Sequence, residues 1–209
     1  MGLLLVLSGP GGVGKTSLAM EMLRQNPDIG YVKSITTRKP RAGPLKEEHY
    51  EYVSEMEFDR LLAEDAFVQW INPPGLEYFG TPRQPIEDAI AEGRDLIFDY
   101  VPEGLLNLRR YYPNNTIGIF VMSPSLEVMK KRLLARGTDG ANEAEIRYQM
   151  ALKDFDVIDM HDYFVINDDF ETAYSEINAI RTAEHLKSSR SEAARRFAAL
   201  AQKTLLRFY

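Results

Sequence analysis

A glycine-rich loop that follows an apolar run at the start of this 209-residue chain most constrains its fold. Residues 3–7 are all apolar and predict a buried strand, residues 8–17 read SGPGGVGKTS, and residues 15–25 predict an amphipathic helix. The loop matches the spacing G-x-x-x-x-G-K-[ST] in the strand-loop-helix context that this motif requires. Glycines let the backbone approach phosphate oxygens closely, and the N–H groups and helix N-terminus attract their charge. The sequence therefore predicts a nucleotide-binding loop rather than a chance glycine turn.

Each residue type in the loop has an expected task. Lys15 would reach the β- and γ-phosphates of ATP, and the Thr16 hydroxyl would ligate Mg²⁺. The residues expected to bind ATP here are Gly9, Gly11, Gly12, Val13, Gly14, Lys15, Thr16 and Ser17.

Apolar segments recur with helical segments between them, which predicts an α/β fold: a P-loop NTPase core with a parallel sheet flanked by helices. The predicted strands are 3–8, 94–100, 116–122 and 163–166, and the predicted helices are 15–25, 54–64, 83–92, 125–136, 142–153 and 170–186. Residues 33–82 fit this pattern poorly and predict a small inserted lobe. The polar turn at about 136–147 predicts a lid, which a phosphotransferase needs to exclude water.

Composition excludes several other classes. The formal net charge is −6, with 25 basic and 31 acidic residues, which argues against a general nucleic-acid binder. The chain has no cysteine, so it has no disulfide, cysteine-based metal site or thiol nucleophile, and a cytoplasmic location is expected. The apolar run at residues 3–7 is far shorter than the roughly 20 residues of a membrane span.

The segment SITTRKPRAGPLKEEHY at 34–50 resembles the acceptor-binding segment of guanylate kinases. The other segments that match in order and spacing are SGPGGVGKT at 8–16, FVQW at 67–70, EYFGT at 77–81, SPSLEVMKKRLLARGTD at 123–139 and VINDD at 165–169. The resemblance covers about residues 3–182. It implies the three-part kinase of that family, with a core, an acceptor-binding lobe and a lid.

The resemblance also implies roles for individual residues. Arg38, Arg41 and Tyr50 match positions that hold the acceptor's monophosphate, a task for which guanidinium forks are suited. The lid-side positions that would stabilise the transferring phosphoryl group are Arg132, Arg136 and Arg147. Asp99 matches an aspartate near the metal and phosphates, and Asn167 an asparagine near the donor adenine. Together with Lys15 and Arg38, the three lid-side arginines are the expected catalytic residues.

The positions that would contact the base depart from the family. Gln69 stands where the family has a glutamate, and Val101 stands where it has the second aspartate of an I-D-x-D run. Pro44 replaces a further glutamate, and Phe79 replaces a tyrosine. Ser34 and Thr81 keep the hydroxyl groups of the family pattern. Guanine presents two adjacent donors, N1–H and the 2-amino group, but an amide offers only one acceptor. Since an unsatisfied buried donor costs about 1–3 kcal/mol, we expect an acceptor monophosphate other than plain GMP.

Three alternatives stay open at this point. The chain would be an ordinary GMP or dGMP kinase with drifted base contacts, a sugar-phosphate kinase that contacts no base, or a non-catalytic guanylate-kinase-like binding module. Against the last, the loop lysine and the lid arginines that chemistry needs are all present.

Residues 183–209 lie beyond the resemblance and form a second unit. They hold six basic and two acidic residues, a net charge of +4, which leaves the first 182 residues with −10. Apolar residues at helical spacing predict a basic amphipathic helix capped by Ser191. We expect it to dock on the core or to form a homo-oligomer; attraction to an acidic partner or an anionic membrane is the alternative.

Overall fold

The computed structural model describes residues 1–39, 50–72, 77–134 and 141–205. The strands in these ranges are β1 (Leu4–Ser8), β2 (Ile29–Tyr31), β3 (Ser34–Thr36), β4 (Tyr50–Tyr52), β5 (Phe67–Ile71), β6 (Phe79–Pro82), β7 (Asp95–Asp99), β8 (Thr116–Met122) and β9 (Tyr163–Ile166). The helices are α1 (Lys15–Gln25), α2 (Glu55–Ala63), α3 (Gln84–Glu92), α4 (Pro102–Tyr111), α5 (Leu126–Leu134), α6 (Ala141–Lys153), α7 (Phe170–Leu186) and α8 (Glu192–Leu205), with a 3₁₀ helix at Asp154–Met160.

The core is a parallel sheet with strand order β2-β7-β1-β8-β9, which confirms the predicted fold class. Central strand β1 pairs with β7 and β8, so that Leu4 lies opposite both Leu96 and Thr116. Side chains on both faces of β1 are fully buried, as expected for a parallel strand covered by helices on each side. The carboxyl ends of β1 and β7 therefore lie side by side at one edge of the sheet.

A smaller sheet with order β4-β3-β6-β5 lies within the predicted lobe. β3 pairs parallel with β4 and antiparallel with β6, which also pairs antiparallel with β5. Its core is small, with the rings of Phe58 and Phe67 stacked at 4.7 Å. Helix α2 covers it and is capped by Ser54, whose Oγ accepts a 3.2 Å hydrogen bond from the Glu57 backbone N–H.

Sequence patterns missed the short strands β2–β6 and helix α4. Helix α4 begins with Pro102 and has Gly104 in its first turn, residues that signal a turn when judged by the sequence alone. The predicted lid falls partly outside the described residues, since 135–140 are not among them. Helix α6 begins at Ala141, in agreement with the helix predicted at 142–153.

Helix α8 does not pack on the core, in contrast to one of our expectations. Helix α7 runs through residue 182 to Leu186, so a separate unit can begin only after that residue. In α8 the side chains of Phe197, Leu200 and Leu205 are 76%, 63% and 59% exposed. Ser191 caps the helix, as predicted, by accepting from the Ala194 N–H at 3.2 Å. No helix in the described ranges is long and apolar enough to cross a membrane.

Candidate active site

The glycine loop adopts backbone conformations that a side chain would prevent. Gly9 has φ +127°, and a Cβ there would lie 2.4 Å from the carbonyl oxygen of Val121 on β8. Gly14 has φ +97° and precedes α1, and its Cβ would lie 2.4 Å from the side-chain nitrogen of Asn167. Both positions therefore require glycine, and both fit the loop closely against the neighbouring strand ends.

The predicted phosphate-binding side chains meet at this edge of the sheet. Lys15 Nζ donates hydrogen bonds of 2.8 Å to the carbonyl oxygens of Gly9 and Pro10. The Thr16 hydroxyl donates to the carboxylate of Asp99. Asp99 ends β7, which is adjacent to β1 in the sheet, so residues 83 positions apart come together. This arrangement is the ligand-binding edge that parallel α/β sheets commonly use.

Asn167 and Arg132 support the loop in this structure. The Asn167 side-chain nitrogen donates a 2.7 Å hydrogen bond to the carbonyl of Val13, and Arg132 donates a 2.8 Å bond to the Asn167 carbonyl. Asn167 is buried, so its amide contributes to loop geometry; a contact with adenine stays a prediction. Arg136 lies outside the described residues, and Arg147 is on α6 with a side chain that is likewise not described.

His161 packs beneath the same loop. Its Nε2 lies 2.8 Å from the Ser8 hydroxyl and its Nδ1 lies 3.1 Å from the carbonyl of Val157. Burial of the ring lowers the pKa of His161, although its hydrogen bonds to the backbone carbonyls of Val157 and Ile158 have the opposite effect. The ring is therefore neutral at pH 7. His161 thus supports the loop structurally. No cluster of three or more His, Cys, Asp or Glu side chains that could hold a metal occurs in the described part of the chain.

Arg38 is positioned to bind an anion in the acceptor-binding lobe. Only 9% of it is exposed, and its guanidinium lies 5.0 Å from the ring centre of Tyr50 and 5.9 Å from that of Tyr52. One nitrogen donates a 3.2 Å hydrogen bond to the Tyr52 hydroxyl. Its buried Nε has no hydrogen-bond partner among the described residues. A buried, incompletely paired guanidinium fits a phosphate group. Arg41 lies outside the described residues.

A cavity of about 220 Å³ lies between the lobe and the core. Its lining includes every described position at which we expected contact with the base: Ser34, Gln69, Phe79, Thr81 and Val101. Asp99, which we expected near the metal and phosphates, also lines it. Three further polar residues, Tyr100, Glu103 and Asn107, also line it, and sequence reasoning missed all of them. Tyr100 directly precedes Val101, whereas Glu103 and Asn107 lie on α4. Recognising that helix would have been the signal for finding the latter two.

A chain of hydrogen bonds fixes the amide of Gln69 in this cavity. Its oxygen accepts a 3.1 Å hydrogen bond from Asn107, and its nitrogen donates to the Thr81 hydroxyl at 3.4 Å. Thr81 in turn lies 2.7 Å from the hydroxyl of Tyr100. Burial raises the pKa of Tyr100 well above its usual value, so this phenol stays protonated. The network links the lobe to the core through α4.

Val101 and Phe79 form apolar parts of the cavity. Val101 is 63% exposed at the position preceding α4, where its side chain lines the open cavity. Phe79 is half-buried, with its ring edge-on to that of Tyr50 at 6.1 Å. The cavity is therefore lined by both apolar and polar side chains.

Comparisons with known proteins agree with this geometry. A protein-family model described as guanylate kinase matches residues 1–184. The chain is similar to the guanylate kinase of Carboxydothermus hydrogenoformans, with 36% identity over 90% of this chain and 92% of that protein. It is also similar to the guanylate kinase of Maricaulis maris, with 38% identity over 90% and 86% of the two chains. A crystal structure of guanylate kinase from Anaplasma phagocytophilum superposes with a TM-score of 0.73 at 25% identity, covering 94% of this chain and 93% of that one.

Proposed function

The chain belongs to the guanylate kinase family of nucleoside monophosphate kinases, and we propose that it transfers the γ-phosphoryl group of ATP to GMP. The position of Asp99 carries this proposal. Its carboxylate accepts a hydrogen bond from Thr16 of the phosphate loop, and the same residue lines the acceptor cavity. The acceptor site therefore opens directly onto the donor site, as in-line transfer between two phosphates requires.

The residues of the two sites supply positioning and charge rather than a nucleophile. The attacking group is a phosphate oxygen of the acceptor, which is already anionic at neutral pH. Arg38 would hold that phosphate, and Lys15 would leave its two loop carbonyls to contact the donor phosphates. Arg132, with the lid residues Arg136 and Arg147, would neutralise charge that develops on the transferring group.

Mg²⁺ fits the oxygen atoms at the end of β7. The Thr16 hydroxyl and the Asp99 carboxylate are hard oxygen donors in direct contact. Mg²⁺ usually takes one or two protein oxygens and completes its octahedron with water and substrate phosphates. When bound, the ion would neutralise charge on the phosphates of ATP.

The relatives favour GMP as the acceptor over the different monophosphate that we expected from Gln69 and Val101. The curated relatives named above are guanylate kinases, and they match about 90% of the chain. Their names also count against a sugar-phosphate kinase and against a non-catalytic binding module.

A coupled spectrophotometric assay over GMP, dGMP, AMP, UMP, dUMP, TMP, CMP and a sugar phosphate, with ATP and Mg²⁺, tests the acceptor. The highest kcat/KM with GMP or dGMP supports the proposal. A clear preference for another base, or indifference to the base with activity on the sugar phosphate, overturns it. In the same preparation, ATP should raise the melting temperature, because a ligand that binds only the native state stabilises it. A non-catalytic module with a vestigial site would show neither turnover nor this shift.

We also propose that α8 mediates self-association, with a second copy of this chain as its partner. Its exposed apolar residues lie on a segment of net charge +4, whereas residues 1–182 carry −10. The groove between edge strand β9 and α7 offers a matching surface, with exposed Phe164 and Ile166 beside Glu176. An apolar stripe with basic flanks complements an apolar groove with a carboxylate at its edge.

Truncation after Leu186 and the substitution Phe164→Glu should each reduce the mass in solution to that of one chain. Sedimentation of the full chain as a monomer, or an oligomer unchanged by either alteration, would contradict this assignment. The cytoplasmic location and the division after the kinase domain stay predictions.

A further inference from the structure

The acceptor cavity lacks an obvious partner for the two donors that distinguish guanine. The Gln69 oxygen already accepts a hydrogen bond from Asn107, and its nitrogen is directed to Thr81. The side chain of Val101 has no polar atom. If the acceptor is GMP, as proposed above, the N1–H and the 2-amino group need two acceptors. The Gln69 oxygen has at most one lone pair left for them, and a buried donor without a partner is costly.

The described cavity lining holds two carboxylates, those of Asp99 and Glu103. Asp99 lies at the phosphate-loop end, where it accepts a hydrogen bond from Thr16. Glu103 makes no hydrogen bond or ion pair with the described residues, and its side chain is exposed to the cavity. Both oxygens of its carboxylate are therefore available as acceptors, which is what two adjacent N–H donors require.

The position of Glu103 is held by its surroundings. It lies in the first turn of α4, directly after Pro102, which presets the helical backbone. A Cβ at Gly104 would lie 2.8 Å from the Tyr100 side chain, so the turn packs closely against the end of β7. One turn further along, Asn107 joins α4 to Gln69 on β5. The helix that presents Glu103 is thus linked to both walls of the cavity.

We propose that Glu103 is the specificity-determining residue of this site and accepts the N1–H and 2-amino hydrogen bonds of the guanine base. The carboxylate that this chain lacks at residues 69 and 101 is supplied from residue 103, on the next element of the fold. This assignment rests on GMP being the acceptor. It also explains how the departures at Gln69 and Val101 are compatible with a guanine base.

The test compares GMP with IMP, which has the N1–H but lacks the 2-amino group. We expect the wild-type enzyme to prefer GMP. Glu103→Gln should lower kcat/KM for GMP about 10- to 100-fold, because it replaces an anionic acceptor pair by an amide. The kcat/KM for IMP should fall less than that for GMP, so the preference for GMP over IMP should shrink. Glu55→Gln is the matched control, since Glu55 is an exposed glutamate in the first turn of α2 and does not line the cavity.

The outcomes separate this inference from the proposed function. If the wild-type enzyme does not use GMP, the proposed function fails. If it uses GMP while Glu103→Gln retains both the rate and the full preference over IMP, the role of Glu103 is refuted. Unchanged ATP-induced stabilisation in Glu103→Gln would show that the variant is folded and that its donor site is intact.

Discussion

Replacing Arg38 by methionine should separate substrate binding from folding. Methionine keeps most of the length and apolar contact of the arginine side chain but removes its charge and all its donors. The guanidinium is buried between Tyr50 and Tyr52, and its Nε has no hydrogen-bond partner among the described residues. The substitution therefore removes a charged group that the free protein satisfies poorly and that a bound phosphate would satisfy well.

The expected magnitude follows from the contacts that are lost. Two charge-assisted hydrogen bonds to the acceptor phosphate, at about 1.5–3 kcal/mol each, give a loss of about 3–6 kcal/mol. At about 1.4 kcal/mol per factor of ten, kcat/KM for GMP should fall about 100- to 10,000-fold. The free energy of unfolding should change by only about 1 kcal/mol, because lost ring contacts and the bond to Tyr52 are offset by no longer burying an incompletely paired charge.

Steady-state kinetics and urea unfolding of the same preparations would measure both quantities. Arg83→Met is the matched control, since Arg83 also has a buried Nε without a partner in the described chain and lies 4.5 Å over a tyrosine ring, that of Tyr111. Arg83 bonds to Asp65 instead of lining the acceptor cavity, so this control should keep its KM for GMP. A loss of stability in Arg38→Met that accounts for the loss of activity, or near-normal kcat/KM, would refute the reasoning.

Three further substitutions test other parts of the structure. Lys15→Ala should abolish turnover in the coupled assay. The melting temperature should change little, because the hydrogen bonds of Lys15 to the loop are worth only about 1 kcal/mol each. Near-normal rates would contradict the role of Lys15. Asp169→Ala should cost about 1 kcal/mol in urea unfolding without affecting kcat, since Asp169 caps α7 by accepting from the Thr172 N–H at 2.8 Å. For His161, burial lowers the pKa in the folded state, so unfolded chains bind more protons below about pH 6.5 and stability should fall as the pH drops through that value. His161→Asn should flatten this part of the stability curve between pH 7.5 and 5.5, and an unchanged slope would contradict the assignment.

The geometry of the candidate phosphate loop could be predicted from the sequence. The spacing of Gly9, Gly14, Lys15 and Thr16 is a local pattern, and each residue type has one physical task in the loop. The structure places these residues together with Asp99, as the resemblance to guanylate kinases implied. The strand-loop-helix unit also predicted the parallel core sheet, because an apolar strand that begins such a unit has to be covered on both faces.

The acceptor site was less predictable, because it is assembled from separate elements. Gln69 was recognised as a departure from the family, but its partner Asn107 belongs to a helix that begins with turn-forming residues and was not predicted. Glu103 was missed for the same reason. Short lobe strands of three to five residues carry too little periodicity to be predicted one by one.

By itself, the sequence determined the fold class, the phosphate loop and the kinase chemistry, since these depend on residue types at fixed local spacing. Only the tertiary structure decided which side chains line the acceptor cavity. The cavity lies between strands of the lobe and α4, and the residues of these elements are far apart in the chain. It also showed that the apolar stripe of α8 is exposed instead of docked on the core. Amphipathic spacing specifies a face that needs a partner, but the partner itself is chosen by shape and charge in three dimensions.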